Sequence, residues 1–131
     1  MKRLSMRQIG LFLIGVISVV AITACSGGGS PRVQIPSLMS PGDMSNRDAA
    51  AKNNEGVDHL VQGHYDIALK HFKKALAAAP NFAEAHFNMA ISLDGMGKHA
   101  DATEAFKKAK NFGGDNPKIV DNAVLKKHLN L

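Results

Sequence analysis

Residues 63–75 read GHYDIALKHFKKA, and residues 97–109 read GKHADATEAFKKA. The two stretches lie 34 positions apart. Gly63 returns as Gly97, Ala68 as Ala102, Phe72 as Phe106 and Ala75 as Ala109. The pair Lys73-Lys74 returns as Lys107-Lys108, and upstream Gly56 is matched by the equally small Ala90. A fixed period of this size marks one supersecondary unit stacked on its own copy. Small residues at 56, 68, 90 and 102 let helix backbones approach closely, and the two phenylalanines fill the space between neighbours. Gly63 and Gly97 stand where the first helix of each unit should end.

This pattern resembles the tetratricopeptide-repeat family over residues 49–131. The resemblance implies an all-α fold, a short helical solenoid. Its domain would occupy residues 46–131, with helix-turn-helix repeats at 49–82 and 83–116 and a C-terminal capping helix at 117–131. Pro80 fills the family's proline slot in the first repeat, whereas Gly114 replaces it in the second. The family's early Trp is Lys52 or His86 here, and its Leu is Glu55 or Met89, so the first repeat is the more degraded. Ser45-Asn46-Arg47-Asp48 has the character of a capping box, and Asn116-Pro117 places a cap before a first-turn proline.

In this family the first helix of each pair lines a concave groove that binds partners. On that face Asn54, Asn88 and Asn122 recur at the repeat spacing and predict a ladder. Asn both donates and accepts, so such a ladder can hold an extended backbone without reading its side chains. Val57, Leu60, Phe87 and Ile91 lie beside it as candidate apolar pockets, with Phe87 and Ile91 the expected anchor of a bound peptide. The other reading is that these four touch neighbouring helices instead. Some relatives clamp a C-terminal carboxylate. Asn88 and Lys118 match that pattern, while Asn53, Val57 and Asn122 depart from it, so that specificity is not implied.

Upstream the texture changes. Lys2, Arg3 and Arg7 precede Ile9–Ala24, an uncharged run too short to span a bilayer comfortably but suited to a signal-peptide core. Ile22-Thr23-Ala24-Cys25 resembles the lipobox of bacterial lipoproteins. That resemblance implies a signal peptide at 1–24, cleavage before Cys25, and a lipid-modified, palmitate-type anchor on the chain's one cysteine. An ordinary signal peptide or an uncleaved anchor is the alternative. Ser26 resembles the class sorted to the outer membrane, facing the periplasm. Residues 25–45 are rich in Gly, Ser and Pro and read as a flexible tether, with a span of roughly 25 Å. Val33, Ile35, Leu38 and Met39 within it leave open a second possibility, docking on the domain or on a partner.

The formal net charge is +5. Without the three basic residues of the leader, 13 Lys and Arg stand against 11 acidic residues, too small an excess to indicate a nucleic-acid partner. Of the six histidines no two are three or four apart, so no single helix face chelates a metal, and no metal or cofactor is expected. Phosphate-binding, nucleophile-elbow and zinc-protease motifs are missing from the sequence, so the chain is read as no enzyme. The expected function is a membrane-anchored scaffold that binds another envelope protein or peptide in the groove, as in assembly of a pilus, secretion or outer-membrane complex. A self-associating structural lipoprotein, a homo-oligomer without a separate client, is the rival.

Overall fold

The computed structural model describes residues 34–131. Cys25, Val33, the leader and the first part of the tether lie outside the described residues.

The helices follow from local chemistry. Asn46 starts the first by accepting from the Ala49 amide at 3.0 Å, one residue after the start that Ser45 suggests. Helix α1 covers Arg47–Leu60 and α2 covers Tyr65–Ala78. The second pair is α3, Ala83–Gly95, and α4, His99–Gly113. Gly63 and Gly97 take φ of 78° and 75°, the left-handed stop that the repeat predicts between the members of each pair. His64 N–H then donates to His59 O at 3.0 Å, and Lys98 N–H to Leu93 O at 2.9 Å, which gives both turns the same closure. Gly114, with φ 52°, ends α4 where the first repeat uses its proline segment.

Repeat-matched side chains build the core. Ala68, Phe72, Ala75, Ala102, Phe106 and Ala109 are all fully buried. Phe87 meets Phe106 edge to face at 5.5 Å, which joins α3 to α4. Gly56 faces the Phe72 ring so closely that an added Cβ would sit 2.7 Å from its Cδ1. Lys73, Lys74, Lys107 and Lys108 are exposed, as a solvated outer face requires.

Two expectations need correction. The capping segment is not one helix: it forms α5, Pro117–Val120, and α6, Ala123–Leu129. The break is a cap, because Asn122 Oδ1 accepts from the amides of Val124 at 2.9 Å and Leu125 at 3.4 Å. The tether also does not run free as far as residue 45. From residue 34 it is extended and returns over the domain, with Ile35 and Leu38 packed against the core. Pro36 and Pro41 restrict its unfolded alternatives and lower the entropy cost of that docking. No helix among the described residues is long and apolar enough to cross a membrane.

Candidate functional site

Helices α1 and α3 pack together and present three asparagines to this extended strap. Asn53 and Asn88 are fully buried. Asn88 Nδ2 donates to Asn53 Oδ1 at 2.9 Å, which ties the two helices across the groove. Its other amide hydrogen goes to Leu38 O at 2.7 Å, and its Oδ1 accepts from Leu38 N at 2.7 Å. Asn53 Nδ2 donates to the same Leu38 carbonyl at 3.0 Å and to Ser40 Oγ at 3.1 Å. Asn54 Oδ1 accepts from Ser40 N at 2.9 Å. Ser40 Oγ in turn donates to Ala50 O at 3.0 Å.

The side-chain amides of the two buried asparagines, Asn53 and Asn88, are therefore satisfied at both nitrogen and oxygen, as a buried network must be. Leu38 O uses both lone pairs, one for each buried asparagine. The bonds fall on Leu38 and Ser40, two residues apart, which is the repeat of an extended chain. Leu38 faces the core cluster while Met39, between them, is 55% exposed. The asparagines bind main chain and Ser40 hydroxyl, and the Leu38 side chain supplies the apolar contact.

The expected site is thus redistributed. Asn54 and Asn88 lie in the groove. Asn122 does not, because its side chain is spent on the α6 cap. Lys118 sits exposed on α5, at the closing end of the array. Val57, Leu60, Phe87 and Ile91 are all buried within the core cluster. Phe87 is fully enclosed against α4, so it offers no open pocket to a ligand.

Asn53 is the residue that sequence reasoning missed. It shares a helix face with Val57 and Leu60, four and seven positions on, and a polar residue on that apolar stripe was its signal.

Histidine gathers in two other places. His59 stacks on His71 at 5.3 Å, with His64 tilted toward it at 5.9 Å. His71 Nδ1 is 3.0 Å from Glu55 Oε2 but out of line for a hydrogen bond. The Glu55 carboxyl is held below its ordinary range, chiefly by the hydrogen bond from Lys52. At the far end Asp94, His99 and His128 converge from α3, α4 and α6.

A family model described as Tetratricopeptide repeat matches residues 59–121. This region belongs to the tetratricopeptide-repeat family. The match begins near the end of α1 and extends past α5, so the second repeat lies wholly inside it. Searches of curated proteins and of solved structures returned no match. Tetratricopeptide repeats are protein-interaction modules.

Proposed function

We propose that the protein is a lipid-anchored adaptor of the bacterial cell envelope, whose groove takes an extended segment of another envelope protein. The observation that carries this reading is the grip of Asn53, Asn54 and Asn88 on the backbone of Leu38 and Ser40. A groove that holds one extended segment through its main chain accepts others that offer an apolar residue at the Leu38 position. In this reading the strap is a resident occupant that a client displaces. The basic leader, the short apolar run and the lipobox around Cys25 support anchoring at the membrane, and Ser26 supports the outer membrane.

The same contact supports self-association as a second reading. A strap that seats in its own groove also fits the groove of a second copy, which is the geometry of domain exchange.

The test is photo-crosslinking from position 54 of the full-length protein in its native envelope, with and without Leu38→Asp. That substitution sets a carboxylate against the apolar cluster and frees the strap. The adaptor reading expects a foreign adduct whose yield rises in the variant. Adducts to the protein itself alone would transfer the function to self-assembly. No adduct from either form, with the variant merely less stable, would make the strap a structural part of the fold and remove the adaptor reading.

A further inference from the structure

We propose that Asp94, His99 and His128 form a zinc-binding site that clips the closing helix to the second repeat. It is independent of the groove. Asp94 lies in the last turn of α3, His99 opens α4, and His128 lies near the end of α6. Their candidate ligand atoms all fall within 4.8 Å of one another. Asp94 Oδ1 is 2.7 Å from His99 Nδ1 and 3.0 Å from His128 Nε2. Two imidazoles and a carboxylate are a zinc donor set, with the fourth tetrahedral position left to water or to a partner's donor.

The surrounding hydrogen bonds orient His128 for this role. Thr103 has one hydroxyl hydrogen, and it donates to His99 O at 2.9 Å. Thr103 Oγ1 is then left to accept from His128 Nδ1, 3.2 Å away. With its proton on Nδ1, the ring leaves Nε2, 3.0 Å from Asp94 Oδ1, available to a metal. A ligating histidine whose other nitrogen is tied to a second residue is the usual arrangement of a metal site. The carboxylate also opposes the negative end of the α3 dipole, which a bound cation offsets.

Zinc needs about 2.0–2.2 Å to each nitrogen or oxygen ligand, which sets neighbouring ligand atoms roughly 3.4 Å apart. Asp94 Oδ1 must therefore draw back from the two histidine nitrogens by about half an ångström, while those nitrogens, within 4.8 Å of each other, settle to the same spacing. His99, at 71% side-chain exposure, is free to move. Lys127 borders the site but is exposed and can turn its charge to solvent. The sequence hid the site because its members lie 5 and 29 positions apart, on three helices.

Untagged full-length protein, in detergent and freed of metal by a chelator, tests the site. Calorimetry with Zn²⁺ should show one equivalent bound, with a rise in melting temperature. Co²⁺ should give the intense visible absorption of a four-coordinate site, with no sulfur charge-transfer band from Cys25. Asp94→Asn and His99→Gln should each weaken binding at least about tenfold, and Thr103→Val by about 10–100-fold. The double variant His59→Gln/His64→Gln, at the other histidine group, should bind as the parent does. His99 is so exposed that its variant decides the matter even where Asp94→Asn fails to fold. Absence of heat and of a melting shift, a pale six-coordinate cobalt spectrum, a sulfur band, or loss of binding in the His59/His64 variant would each overturn the proposal.

Discussion

Asn88 binds both main-chain groups of Leu38, its amide and its carbonyl, each at 2.7 Å. The partners are 50 residues apart in the chain, and a single side chain fixes the strap's register in the groove. Asn88→Asp keeps the acceptor and removes both donors. It leaves Leu38 O and Asn53 Oδ1 facing a buried carboxylate. An uncompensated buried charge costs about 3–5 kcal/mol. The expected result is a fall of that order in chemical denaturation and faster proteolysis around residues 34–45. Unchanged protease sensitivity of the strap would show that Asn88 does not hold it.

Gly56 and Phe72 meet where the first helix pair is tightest. Replacing glycine by alanine in a helix normally stabilises it by about 1 kcal/mol. Here the new methyl would drive into the Phe72 ring, and overpacking of this kind costs about 1–3 kcal/mol. Gly56→Ala should therefore lower the melting temperature. Ala90, the repeat-matched residue, is fully buried with its methyl already accommodated. Ala90→Gly loses helix propensity without relieving strain, so both exchanges should destabilise. A gain in stability from Gly56→Ala would mean that Phe72 can retreat at little cost.

The helical pairs were legible because their determinants are local and periodic. Gly63 and Gly97 mark φ values that glycine adopts most easily, and Phe72 and Phe106 mark a repeated packing slot. The strap was not legible in the same way. Its Gly, Ser and Pro content signals an entropy cost but cannot say where Leu38 N–H and C=O find partners. Asn122 shows the limit of register: it falls at the ladder position, yet its short side chain finds the free amides of α6 nearer than any groove. Phe87 failed for another reason. Helix α3 is enclosed by α1, α2 and α4, so its buried residues surround it and periodicity cannot single out a groove face.

His86 takes the slot where the family carries its early tryptophan. It lies flat on Phe112 at 5.4 Å, and its Nε2–H donates to Pro80 O at 2.8 Å, since a carbonyl can only accept. Burial lowers its pKa; the bond to Pro80 opposes that shift and Lys108 adds to it. A lowered folded pKa means that the unfolded chain binds the proton more tightly. Its contribution to stability is complete above the ordinary histidine pKa of about 6.5 and is lost as pH falls through the lower folded value. Melting temperature should therefore decline across this acid range, and the decline should be shallower in His86→Gln. Equal slopes for parent and variant would assign the acid sensitivity to other groups.

Asn122 holds the break between α5 and α6, and α6 is only seven residues long. So short a helix has little stability of its own and relies on its cap and on buried Leu125. Asn122→Ala removes the acceptor for two amides and should cost about 0.5–2 kcal/mol. The loss should be local. Hydrogen exchange should quicken in residues 123–129 and at the α4 surface they cover, while amides of α1 and α2 keep their protection. Because His128 is carried on α6, the same variant should also bind Zn²⁺ more weakly, although Asn122 touches none of the three ligands. Faster exchange throughout the domain would instead show that the closing segment stabilises the whole array, and that two repeats without it are too few to stand.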